Sequence, residues 1–347
     1  MEACIPCLGV RKGRVPPPPV AGDPLNRNVP AAARTFSFEE LSAATRNFRD
    51  ENLVAGSEPC VYRGRLKSVN QVVAVKLQHL VDRNNNVSTE QRNSEFLARV
   101  VMLNDLRHPK LVNLIGFCAD GNHRILVHEY VPLGSLEDRL HDPSPEKPRL
   151  DWSTRMNIAA GVARGLQYLH DKGVVYRCLR SSDVLLGDGE GYHPKLSQYE
   201  LAKAGRLFDD SEAQEAREFQ IRTIGALAPE TTMAAQVSMA SDVYCFGVVL
   251  LELITGRRAF SPRAAEEEPL LVTWAQPLLK HRAGMRRMAD PALQGRYPSK
   301  DLEMALAVAF ICVQQEPAMR LPIGDLVKVM SLLAYDNGTE EPRGHLS

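Results

Sequence analysis

The polar residues of the stretch Val174–Glu200, VVYRCLRSSDVLLGDGEGYHPKLSQYE, decide what chemistry this chain can carry. Among its residues of types that take a proton or hold a metal are the thiol of Cys178, the carboxylate of Asp183 and the amide of Gln198. A buried thiol is a poor base for a hydroxyl, because a useful base needs a pKa near the working pH. A neutral amide is a poor ligand for magnesium, which favours carboxylate and phosphate oxygens. Of these three, Asp183 alone offers an anionic oxygen, enough to hold one divalent cation weakly. A second chemical pair stands at the start, Cys4 and Cys7 in MEACIPCLGV, followed by Arg11, Lys12 and Arg14. Two thiols beside a basic cluster fit double S-palmitoylation, and two such signals together anchor a protein stably to a membrane. The plainer alternative is a pair of ordinary cysteines in a tail. A single C-x-x-C with no second pair is weak evidence for zinc or redox work, and Glu2 stands where myristoylation needs a glycine.

Composition narrows the class further. With 347 residues, 44% of them hydrophobic and 24% charged, the chain has the make-up of a two-lobed soluble domain with tails. Lys+Arg and Asp+Glu both number 42, so no global field selects nucleic acid or an acidic partner. Seven scattered cysteines suggest reduced thiols of a cytosolic protein. No apolar run is long enough to cross a bilayer, and no signal-peptide core is visible.

The elements that must position these residues follow from periodicity. Residues 1–34, with the run Pro16 to Pro19, read as a disordered tail, and residues 336–347 as a second one. FSFEELSAATRNF, residues 36–48, has helical spacing. Cys60–Leu66 and the valine-rich Gln71–Leu77 read as strands, as do segments near Leu111–Phe117 and Arg124–His128. Ser88 and Gln91 form a capping-box pattern opening a helix to about Leu106, with Phe96, Leu97, Val100, Val101 and Asn104 at helical spacing. Asp151 can cap a helix whose apolar side carries Met156, Ala159, Ala163, Leu166 and Leu169. Asp242–Thr255 is apolar nearly all round and ends at Gly256, which predicts a buried central helix. Helices near Leu302–Gln314 and Ile323–Leu333 complete the chain.

The order of motifs resembles a protein kinase. More narrowly, it resembles the plant receptor-like cytoplasmic kinases of the interleukin-receptor-kinase/Pelle group, subfamily VII, in a degenerate, pseudokinase-like form. The segments that carry the likeness are VYRGRL, VAVKL, HPKLVNLIGFC, EYVPLGSLEDRLHD, LDWSTRMNIAAGVARGLQYLHDKG, YRCLRSSDVLL and SDVYCFGVVLLELITGRRA, across residues 35–335. The resemblance implies an α+β, bilobal protein-kinase fold: a small antiparallel sheet lobe with one helix at about 50–131, and a larger mainly helical lobe at about 132–335. It also implies ATP as a cofactor, with magnesium in doubt, receptor-like kinases or other signalling proteins as partners, and the cytoplasmic face of the plasma membrane as location, or the cytosol without acylation.

Carried over residue by residue, the resemblance implies that Lys76 holds the nucleotide phosphates, that Val61, Ala74 and Leu185 sandwich the base, and that His128 is the gatekeeper. Gly56 is the one glycine kept in the phosphate loop. Cys178 replaces the catalytic aspartate, Arg180 the loop lysine, Asp183 the metal-binding asparagine, Gln198 the metal-binding aspartate, and Arg99 the helix glutamate that pairs with the lysine. Arg177, Glu230, Asp242 and Arg320 match structural positions. Three functional readings follow: a pseudokinase scaffold or regulator for which magnesium is doubtful, an adapter holding nucleotide without turnover, and a weak, atypical serine/threonine kinase using Lys76, Asp183 and Glu200.

Overall fold

The computed structural model describes residues 33–55, 60–67, 70–78, 89–143, 148–189, 192–197, 223–234, 236–261 and 268–335. Strands β1 (Arg34–Thr35), β2 (Leu53–Ala55), β3 (Val61–Leu66), β4 (Gln71–Gln78), β5 (Leu114–Cys118) and β6 (Arg124–Glu129) form one sheet in the order β1-β5-β6-β4-β3-β2. All pairings are antiparallel except that of β1, which runs parallel to β5. Side chains alternate across a strand, and the register assigns each face a different job. Leu66, Val73, Val75, Cys118, Ile125 and Val127 point to the outer face, where they pack with Phe36 and Leu41. Helix α1 (Phe38–Ala44) closes that face, capped by the Ser37 side chain, which accepts from the Glu40 N–H. The opposite face carries Val61, paired with Lys76, and Ala74, paired with His128. Helix α2 (Thr89–Asp105) packs toward β5 and buries Phe96, Val100 and Leu103.

Four particulars differ from expectation. The fold begins at Arg34, inside the predicted tail, because β1 pairs with Gly116 and Phe117 and the Phe36 N–H donates to the Phe117 carbonyl at 2.8 Å. Gly116 is what admits it: a Cβ there would lie 2.1 Å from the Arg34 oxygen. The first helix stops at Ala44 rather than Phe48, since Arg46, Asn47 and Phe48 all adopt positive φ. On α2, Leu97 and Val101 lie on the solvent side, 45% and 63% exposed, so the apolar stripe is narrower than its residue types suggest. A sixth strand, parallel β1, joins the small lobe's sheet among the described residues, within the α+β kinase-like fold class expected. Ser88 of the predicted capping box lies outside the described residues.

The larger lobe contains α3 (Leu136–His141), α4 (Trp152–Asp171), a two-stranded hairpin β7 (Val184–Leu186) and β8 (Pro194–Leu196), α5 (Pro229–Ala234), α6 (Met239–Thr255), α7 (Leu271–Leu279), α8 (Arg282–Arg286), α9 (Ser299–Cys312) and α10 (Ile323–Tyr335). Asp151 caps α4 by accepting from the Thr154 N–H at 2.8 Å. α6 starts at Met239, three residues before the predicted Asp242, because the side chains of Ser238 and Ser241 form a reciprocal capping box. From Ser241 to Thr255 each residue of α6 is buried. Each fully buried Val, Leu, Ile or Phe there stabilises the fold by roughly 1.5–3 kcal/mol. Gly256 ends α6 with φ 69°, and a Cβ there would run into the Asp290 carboxylate at 2.5 Å. α4 packs against α6 and α10, and α9 packs against α6. The result is a rigid block beneath the loop that joins α4 to β7.

Candidate functional site

That loop, Val174–Arg180, hangs on one carboxylate. Asp242, in the first turn of α6, accepts from the backbone N–H groups of Tyr176 and Arg177, each at 2.7 Å. His170, near the end of α4, meets the same carboxylate through Nε2 at 2.8 Å. Burial raises the Asp242 carboxyl above its ordinary value, and the His170 and backbone hydrogen bonds oppose that rise. Arg177 itself has φ 87°, a left-handed conformation that costs a non-glycine residue about 1–3 kcal/mol. The two short bonds to Asp242 hold it there.

Immediately after Arg177 comes Cys178, which is buried. Neighbouring Cys245, on the second turn of α6, and burial push the Cys178 pKa well up. Cys178 is therefore a neutral thiol at physiological pH, with no lone pair basic enough to take a hydroxyl proton. Cys245 lies within SDVYCFG, but its meeting with Cys178 across α6 is a tertiary contact that local pattern does not announce.

Three residues on, Arg180 and Asp183 bracket a single 3-10 turn, Ser181–Asp183. Side chains three apart eclipse in such a turn, and these two form a fork. Arg180 Nη2 donates to Asp183 Oδ1 at 2.9 Å, Arg180 Nε to Oδ2 at 3.1 Å, and the Arg180 backbone N–H also to Oδ2 at 3.1 Å. Burial raises the Asp183 carboxyl, while Arg180 first and Lys76 second pull it back. For Arg180, burial would lower the pKa, but the Asp183 charge beside it raises it beyond the ordinary value. Both carboxylate oxygens are engaged.

Across the cleft, the small lobe's inner face presents Lys76, buried, beside Val61, Ala74 and His128. Val61, Ala74 and Leu185 are half-buried, as side chains at the wall of a cleft are. Arg99 sits half-buried on α2, in the last half of the helix. Below, Ser197 is tied to the Asp183 carbonyl by both its N–H, 2.9 Å, and its Oγ, 3.0 Å, and the Tyr176 hydroxyl donates to the Ser197 carbonyl. Gln198, Tyr199, Glu200 and Gly56 lie outside the described residues, as do Cys4 and Cys7. Far from the cleft, Arg320 forks onto Glu230 at 2.6 and 2.7 Å and donates to the carbonyls of Ala240, Gln314 and Gln315.

A magnesium ion at this site would need anionic oxygen. Among the described residues, no group of three or more His, Cys, Asp or Glu side chains could hold a metal ion. Glu200 lies outside the described residues, and Arg180 already engages both oxygens of Asp183. The described residues therefore do not fit the ion.

Residues 49–291 match the family described as protein tyrosine and serine/threonine kinase. The chain is similar to Serine/threonine-protein kinase PBL27 of Arabidopsis thaliana, 54% identical over 307 residues, or 87% of this chain and 58% of that protein. It is 52% identical to Probable serine/threonine-protein kinase PBL7 of the same organism, over 87% of this chain and 78% of that one. With Serine/threonine-protein kinase PBS1, also of Arabidopsis thaliana, identity is 50% over 90% of this chain and 67% of that one.

Proposed function

The chain belongs to the protein tyrosine and serine/threonine kinase family, and from that premise we propose that it is a catalytically impaired kinase homologue, a scaffold or regulator beside receptor kinases in plant immune or growth signalling. Members of the family generally use ATP and magnesium. The observation that carries the reading is the thiol at the base position, buried beside Cys245 on α6. A missing general base costs about a hundred- to ten-thousand-fold in rate. An occupied metal carboxylate removes charge stabilisation, a separate contribution to the barrier, so the two losses compound.

Incubating the purified protein with labelled ATP and Mg²⁺ or Mn²⁺ tests this. The expected result is no incorporation into itself or a generic substrate. Incorporation that Lys76→Ala abolishes would overturn the proposal. Such labelling would instead support the weak-kinase reading, for which Lys76, buried on the cleft face and acting on Asp183, is the favouring observation.

Location enters the same proposal through Cys4 and Cys7, read as palmitoylated and as placing the protein at the cytoplasmic face of the plasma membrane. The double variant Cys4→Ser, Cys7→Ser should then move to the soluble fraction. If it still sediments with membranes, the anchor lies elsewhere.

A further inference from the structure

The Arg180–Asp183 pair is asymmetric in a way that a plain surface ion pair is not. The Asp183 side chain is 4% exposed while that of Arg180 is 32% exposed. The anion is thus enclosed by the protein, while the cation beside it keeps part of its surface open. Lys76, on the opposing lobe, acts electrostatically on the same carboxylate. A divalent cation approaching Asp183 would have to break two guanidinium hydrogen bonds and a backbone one. It would then sit against a guanidinium that cannot leave, because Arg180 is fixed three residues away in the same turn. A polyphosphate meets the reverse situation, since a guanidinium carries five N–H donors, of which Asp183 takes two, and Lys supplies a second point charge.

We infer that Arg180 stands in for the metal, so that this cleft takes a nucleoside polyphosphate as the free anion, with Lys76 and Arg180 as its counter-charges. The ligand is held rather than turned over, and magnesium competes against binding by masking the phosphate charge. This rests on the proposed function in one respect: the cleft is the nucleotide site of a kinase fold that lacks its base.

Titration calorimetry of the full chain with ATP, once in excess EDTA and once in excess Mg²⁺, reads the inference directly. ATP in EDTA should bind about tenfold more tightly than the magnesium complex. Arg180→Gln, which releases Asp183, should weaken metal-free binding by about tenfold and make what remains depend on Mg²⁺. Binding that requires Mg²⁺ in the unaltered protein would overturn the inference, and so would the absence of ATP binding in both buffers. Metal-free binding unchanged in a folded Arg180→Gln protein would also overturn it. Should that variant not fold, the EDTA and Mg²⁺ titrations of the unaltered chain decide alone. None of these outcomes touches the labelling assay, whose failure would sink the loss of turnover independently.

Discussion

Two carboxylates serve one loop, and they are spent in opposite ways. Asp242 is fully buried and takes its donors from far away in the chain: His170 on α4 and the backbone of Tyr176 and Arg177. It fastens the loop to the helical block. Asp183, nearly as buried, takes its donors from Arg180, three residues before it. The hydrogen bonds of its carboxylate stay within its own turn, and in making them it gives up the negative charge that a metal would use. The Glu230–Arg320 fork belongs with the first kind, joining α5 to the segment before α10. The contrast separates two selective demands on one fold. Asp242 and Glu230 hold the shape through long-range partners, whereas the Asp183 carboxylate has turned to its neighbour Arg180.

The sharpest way to break this comparison is at Asp242. Asp242→Ala leaves two backbone donors and a histidine without their acceptor, and should cost about 3–5 kcal/mol in denaturant unfolding. A loss under about 1 kcal/mol would mean that the loop is held by something else. Arg320→Ala should come next, at about 2–4 kcal/mol, because the guanidinium is buried and makes five hydrogen bonds.

The same pair predicts a pH dependence. Burial alone would raise the Glu230 carboxyl, but Arg320 overrides it and holds the group below its ordinary value. A carboxyl held low in the folded state stabilises fully above its unfolded pKa, roughly 4.3 for glutamate, and that contribution fades as pH falls through the folded value. Thermal melts should therefore lose stability below about pH 4.3, and Glu230→Gln should flatten the acid limb.

Smaller effects sharpen the other half. The Cys178 thiol, buried and protonated, should react with iodoacetamide at least about tenfold more slowly than a free cysteine at neutral pH. Rapid alkylation of the native protein, mapped to Cys178, would place an open, acidic thiol there instead. Smallest of all, Val101→Ser on the outer side of α2 should change stability by less than about 0.5 kcal/mol, against about 3–5 kcal/mol for Phe96→Ala on its inner side. Equal losses would put Val101 in a core.

Much of the frame is legible from residue order because it rests on local rules. Alternation in QVVAVKL places Lys76 on the face opposite Val73 and Val75, and the register agrees. Asp151 caps its helix as its side chain type suggests. What escapes the sequence is what depends on meetings in space. β1 is two residues long, too short for any period, and exists because Gly116 lets the backbone approach. Phe96, Leu97, Val100 and Val101 are alike as apolar residues, and only packing against β5 tells which pair is inside. The Cys178–Cys245 contact joins residues on separate elements. The Arg180–Asp183 fork is different, since opposite charges three apart in a tight turn were open to prediction; reading Asp183 as a weak metal ligand passed over the cation beside it.

The parallel pairing at the margin of the small lobe has one more result. β5 would otherwise end the sheet with its amide groups open to any extended peptide, the usual template for accretion between chains. A two-residue stub headed by a charged arginine lies along it at Gly116 and Phe117 and offers little for a stranger's backbone to continue. A binding protein that approaches this border must read amino-acid side groups, because the border no longer accepts another ribbon.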